Sequence, residues 1–225
     1  MLSNRSTISA ISAAGLALAW SWSAAAADMG TYTLAGADAD GAAGTGSFYA
    51  NGDAGVAILQ NIVSQGSVAQ FDIGPKVDVS VGYNVTPCFA VEVQSGFAYN
   101  SFSKSDGQSL SSGESAEIWS VPVMANGIFT HSFNEHWQAY GGLGAGVLIS
   151  TLDENTIFGN ISTTDCEFGY QAMFGIKYLF NDQMSCGLGY DFLGSLDHHW
   201  NAFGQGVTTT PTYMHSILLS LTYTF

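Results

Sequence analysis

From Phe71 to Tyr83 the chain alternates residue by residue: Phe71, Ile73, Pro75, Val77, Val79, Val81 and Tyr83 fall on one face, and Asp72, Gly74, Lys76, Asp78, Ser80 and Gly82 on the other. A period of two predicts a strand with one apolar and one polar face. The pattern returns with Phe89, Val91, Val93, Phe97 and Tyr99 against Glu92, Gln94, Gly96 and Asn100, after the turn Asn84-Val85-Thr86-Pro87. Trp119, Val121, Val123, Ala125 and Phe129 share a face, as do Trp137, Leu143, Val147 and Ile149, and His131 to Glu135 joins them as a second hairpin. Phe168, Tyr170, Ala172, Phe174, Ile176, Tyr178 and Phe180 form a third apolar face, and Asn181-Asp182-Gln183 turns it into Leu188, Tyr190 and Phe192. The last run sets Tyr213, Ile217, Leu219, Leu221, Tyr223 and Phe225 against Ser216, Ser220, Thr222 and Thr224.

With a weaker strand near Asp53 to Gln60, the pattern amounts to eight strands. Short connections at 84–87, 131–135 and 181–183 alternate with long polar ones near 61–69, 101–115, 151–163 and 194–211. Short turns on one rim, longer loops on the other and an even strand number predict an all-β fold: an eight-stranded antiparallel up-and-down transmembrane β-barrel. The competing fold is a water-soluble β-sandwich or lipocalin-like barrel with its apolar faces inward. Against it, the polar faces are filled with Gly, Ser, Ala and Thr, which suit a crowded lumen, and Tyr and Trp lie near strand ends, where an amphipathic ring sits at headgroups.

Composition agrees. Only 10% of the 225 residues are charged against 47% hydrophobic, sparse charge for a surface that meets water everywhere. Arg5, the apolar stretch Ile8 to Trp20 and the small residues Ala24 to Ala27 read as a signal peptide over 1–27, so export through the periplasm is expected. No later run has the length of a spanning helix. Residues 28–52 are an Ala/Gly/Asp-rich lead-in expected to be flexible, and 53–225 the barrel. Asp38 and Asp40 before Gly41 carry part of a calcium-loop pattern without its remaining ligands, and a solvated linker is the preferred reading. Loss of Arg5 takes the formal charge from −14 to −15 and leaves Lys76, Lys104 and Lys177 as the basic side chains, which excludes nucleic acid as a partner. Cys88, Cys166 and Cys186 lack metal-type spacing and allow at most one internal disulfide.

These features resemble the eight-stranded outer-membrane barrel family, the OmpA-like and opacity-protein-like surface antigens, over about residues 50 to 225. The resemblance rests on the architecture and on the final strand SILLSLTYTF with its terminal aromatic Phe225. It implies residence in the cell outer membrane, and it carries Tyr223 and Phe225 over as the signal read by the outer-membrane assembly machinery. The first strand lacks the family's aromatic-glycine start, and no arginine remains beyond Arg5 for the lumen. The OmpA-like members that grip peptidoglycan do so through an extra domain after the barrel, and none is expected here.

Inward polar faces place Lys76 and Lys177 in one lumen with Asp78, Glu92 and Asp191, beside Gln94, Gln138 and Gln171, and a paired network is the expected outcome for charge taken out of water. The plain reading is a plug that holds the barrel together; the sharper one is a narrow, weakly cation-selective pore. Gly141-Gly142-Leu143-Gly144-Ala145-Gly146 sits in a strand with no helix after it, so packing explains it better than phosphate binding, with Gly142, Gly144 and Gly146 giving room to neighbours such as Lys177 or Gln138. Asp197, His198 and His199 are weak candidates for a metal or for a lipid-modifying surface enzyme, with no nucleophile at a defined spacing. No metal, cofactor or catalytic residue is assigned. Asp106, Glu114, Asp153, Glu154 and Asp165 make the loops acidic, suited to a surface ligand, while the outward faces meet outer-membrane lipid. A non-enzymatic barrel with an envelope-structural and surface-contact role is the expectation. Intact-mass spectrometry of the exported protein is expected to give a chain beginning at Asp28.

Overall fold

The alternation is realised as eight long strands: β1 (Phe48–Leu59), β2 (Gly74–Thr86), β3 (Phe89–Ser105), β4 (Ser115–Ser132), β5 (Trp137–Thr156), β6 (Gly159–Leu179), β7 (Met184–Ser195) and β8 (Tyr213–Thr224). The computed structural model describes residues 46–64, 67–105, 108–109, 115–156, 159–196, 199–202, 205–208 and 211–225, so the signal and most of the lead-in lie outside the described residues. Each strand pairs antiparallel with the next, and β1 pairs with β8, so the sheet closes on itself.

Following partners around the wall, Ala50 leads through Val81, Val93, Ala125, Ala145, Tyr170 and Gly194 to Tyr213, ten residues before Tyr223, its direct partner on β8. A stagger larger than the eight of a (β/α)8 barrel tilts the strands beyond about 36°. The lumen of such a barrel is just wide enough for side chains to fill.

Outward positions are apolar: Val77, Val79, Val81, Val93, Leu143, Phe174, Leu188, Ile217, Leu219 and Leu221 are exposed. Inward positions Lys76, Asp78, Ser80, Gln94, Asn126 and Gln171 are buried. That is the reverse of a lipocalin-like barrel. At the short-turn rim the band ends in aromatic pairs, Phe48 with Tyr83 and Phe89 with Phe129, both at 4.9 Å between ring centres, and Trp137 with Tyr178 at 5.1 Å. Two of the short turns use the same device: Asn134 Oδ1 accepts from the His136 and Trp137 amides, and Asn181 Oδ1 from the Gln183 and Met184 amides, at 2.8–2.9 Å.

Two expectations change. β1 starts at Phe48, inside the segment read as lead-in, because its outward residues Ala50, Gly52 and Ala54 are too small to display the alternation. Gly46, at φ 85°, donates its N–H to Asn84 O at 2.8 Å and so ties the start of β1 to the end of β2. The stretch near 151–163 is not a long loop: β5 and β6 run on to Thr156 and from Gly159. Polar residues stand on both faces there and interrupt the apolar alternation, which hides a strand from a hydrophobicity pattern, yet Thr151 and Thr164 meet by their hydroxyls at 2.8 Å across the ladder. The other long connections carry short strands at Ile62–Ser64, Ser67–Phe71, Gln108–Ser109, His199–Ala202 and Gln205–Thr208.

Leu219 lies within the outward band and is 67% exposed. Leu219→Arg is expected to lower unfolding free energy in lipid vesicles by about 2–4 kcal/mol, measured by urea titration, because a cation there replaces a hydrocarbon contact.

Candidate functional site

The narrow lumen forces inward side chains from opposite walls into contact. At the short-turn mouth a vestibule of about 140 Å³ is lined by Gln138, Lys177, Asn181 and Thr222 among others, and Tyr49, Ile128 and Lys177 separate it from an inner cavity of about 40 Å³. Lys177 Nζ sits over the rings of Tyr140 and Tyr49, 5.0 and 5.8 Å from their centres. A cation over an aromatic face is attracted by the ring quadrupole.

Next come acids and amides. Tyr49 OH donates to Glu92 Oε2 at 2.9 Å, and Asn126 Nδ2 to Glu92 Oε1 at 3.1 Å. Asn126 Nδ2 and Gln171 Nε2 both donate to Gln94 Oε1, at 2.9 and 2.6 Å, and Gln171 Nε2 also donates to Asn126 Oδ1 at 2.6 Å. Asp53 Oδ2 accepts from Asn51 Nδ2 at 2.6 Å. Beside them, Lys76 Nζ donates to Asp191 Oδ2 and lies 3.3 Å from Asp78 Oδ2. All three of these charged residues are at most 3% exposed.

Towards the long-loop end the lining turns apolar. Ala57, Leu59, Ala98, Ile118, Met124, Leu148, Leu193 and Met214 form one buried cluster across the lumen. Within this layer Ser120 and Ser150 meet at 3.1 Å.

Glycines make this crowding feasible. A Cβ on Gly96 would overlap the Asp78 carboxylate, and one on Gly144 the Asn126 amide. The expected beneficiaries differ: Gly142, Gly144 and Gly146 face Ile128 and Met173, Asn126, and Met124 with the β4 backbone, and not Lys177 or Gln138.

Of the residues singled out from sequence, Lys76, Asp78 and Asp191 come together in one cluster, and Glu92 lies in the neighbouring one with Gln94 and Gln171. Lys177 departs from expectation: among the described residues no carboxylate lies within 4.0 Å of it, because the stagger sets it opposite two tyrosines near the mouth. Gln138 donates to Ser132 Oγ at 3.1 Å and takes no part in either cluster. Tyr49, Asp53, Asn126 and Tyr140 were not singled out. Parity places all four, since Tyr49 and Asp53 alternate with the outward alanines of β1, Tyr140 shares the face of Gly142 and Gly144, and Asn126 falls between Ala125 and Gly127 on the polar face of β4.

Tyr223 and Phe225 point outward, 41% and 60% exposed, their rings 5.1 Å apart, and the Phe225 N–H donates to Phe48 O at 2.8 Å. Asp197 and His198 lie outside the described residues, as do Asp106 and Glu114, and of His199 only the backbone is described. Cys88, Cys166 and Cys186 are free thiols.

Among curated proteins none matches the chain. Among solved structures it is similar to the outer membrane protein OprG from Pseudomonas aeruginosa, at 18% identity and TM-score 0.58 over 83% of this chain and 99% of that one. It is similar to Neisserial surface protein A, at 16% identity and TM-score 0.52 over 79% and 97%. The outer membrane protease OmpT from Escherichia coli shares the fold at 7% identity and TM-score 0.51, over 80% and 97%. A closed eight-stranded barrel, an outward apolar band with an aromatic rim, and a family model matching residues 9–225 lead to one conclusion: the chain belongs to the outer membrane protein beta-barrel domain family and resides in the outer membrane.

Proposed function

We propose that the protein is a non-enzymatic, closed barrel that reinforces the outer membrane and presents its long-loop rim for contact. The filled lumen carries this reading. A pore needs a continuous wet path, whereas the buried apolar cluster from Ala57 to Met214 crosses the lumen directly beyond the Lys76, Asp78 and Asp191 cluster. The lumenal acids are engaged by ammonium, amide and phenol groups, a pattern that cross-braces strands far apart in sequence, such as β2 with β7 through Lys76 and Asp191.

Contact with partners follows from exposure. The outward band meets lipid, the rings of Tyr223 and Phe225 suit recognition by the assembly machinery, and the half-buried Asp153 and Glu154 near the long-loop end of β5 add negative charge to that rim for an external ligand. The protease activity in OmpT's title belongs to that protein, and at 7% identity the likeness shows the fold alone.

In a planar bilayer the refolded protein is expected to give no steady current steps; cation-selective steps would instead establish the narrow pore. Lys76→Met leaves Asp78 and Asp191 as uncompensated buried charges and is expected to cost about 3–5 kcal/mol of stability. The triple change Lys76→Met, Asp78→Asn, Asp191→Asn is expected to recover most of that loss, read from unfolding midpoints in the same detergent.

A further inference from the structure

Lys177 enters the lumen as an ammonium, and charge withdrawn from water needs a partner of opposite sign. Among the described residues its Nζ donates no hydrogen bond and has no carboxylate within 4.0 Å; it meets the faces of Tyr49 and Tyr140. A ring face attracts the cation, yet the three N–H donors of an ammonium call for an oxygen. The acids of the inner cavity are already engaged, Asp53 by Asn51, and Glu92 by Tyr49 and Asn126. On the mouth side Lys177 borders the vestibule with neutral groups, among them Gln138, Ser185 and Thr222, while Asp182 stands exposed on the adjoining turn.

A second observation is where the chain enters the barrel. Gly46 N–H donates to Asn84 O at 2.8 Å, and Asn84 N–H donates to Ser47 O at 2.9 Å. Asn84 lines the vestibule, so residues 46–47 are pinned to its rim. Just inside, Tyr49 presents the ring over which Lys177 Nζ lies at 5.8 Å. The stretch immediately before this pin, residues 39–45, reads Ala-Asp-Gly-Ala-Ala-Gly-Thr and lies outside the described residues. Asp40 is its one charged residue, and none of its side chains is larger than an aspartate. Asp40 stands six positions before Gly46, a span that reaches up to about 20 Å when extended. The vestibule, at about 140 Å³, has room for a carboxylate and water around it. Asp53 and Glu92 lie beyond Tyr49 and Lys177 in the inner cavity, so the ammonium stands between them and a carboxylate arriving from the mouth.

We propose that residues 39–45 fold back over the short-turn mouth and place the Asp40 carboxylate in the vestibule as the counter-charge of Lys177. The chain then stoppers its own barrel at the end opposite the apolar cluster, and one ion pair ties the entry of β1 to β6.

The test uses the exported protein purified in detergent. Zero-length carbodiimide coupling joins a carboxylate to an amine already in contact with it, and is expected to link Asp40 to Lys177, read by peptide mass spectrometry, with the link lost in Asp40→Asn. Thermal unfolding of Asp40→Asn, Lys177→Met and the double variant then measures the coupling. Asp40→Asn is expected to lower the unfolding temperature by about 2–4 °C in the parent chain and to leave it unchanged in the Lys177→Met background. An equal shift in both backgrounds would overturn the pairing. So would Lys177 recovered unlinked or linked to Asp182, a result that the parent chain alone supplies if Lys177→Met does not fold. Stabilisation by sodium phosphate over sodium chloride at equal ionic strength, abolished by Lys177→Met and undiminished by the presence of Asp40 in place of Asn, would overturn it in favour of a free anion in the vestibule.

Discussion

Hydrocarbon offers no hydrogen bonds, so every amide in the wall has to find its partner on a neighbouring strand, and a sheet meets that demand only by closing. The pairing of β1 with β8 is therefore the constraint on which the rest depends. Closure fixes which residues point out, and the outward face must then be apolar along its whole circumference. It also fixes the bore, and with eight strands the bore belongs to side chains.

Crowding inside the bore decides the chemistry of the inward face. Large groups are tolerated only opposite small ones, which is why Asp78 faces Gly96 and Asn126 faces Gly144. Amides withdrawn from water gain most from one another, and Gln94, Asn126 and Gln171 bond together from three different strands. The lumen is consequently layered, with a wet mouth at the short turns, an ionic and amide middle, and an apolar cover towards the loops.

Much of this was legible in the sequence wherever the two faces differed strongly in character. β2, β6 and β8 declare themselves because Val, Ile, Leu and aromatic residues alternate with Gly, Ser, Lys and Asp. β1 was partly hidden, since Ala50, Gly52 and Ala54 satisfy an outward face without announcing it, and the upper parts of β5 and β6 were hidden because Thr, Ser, Asp and Asn occupy both faces there. Alternation tells which side chains enter the lumen and says nothing of who meets whom. That depends on the ten-residue stagger, which emerges only when all eight pairings are in place, and so Lys177 met Tyr49 and Tyr140 where a carboxylate was expected.

The seam between β1 and β8 also has a consequence in time. Its partners, such as Ala50 and Tyr223, are separated by nearly the full length of the barrel sequence, while every other seam in the wall joins neighbours along the chain. Loop-closure entropy makes such a distant pairing the slow one. Hairpins can accumulate early, but the row of unsatisfied amides on β1 waits for β8, and until then the chain is an open sheet with two sticky borders. The interval before the seam shuts is thus when the polypeptide is most exposed to misassociation, and when an escort has the most to protect.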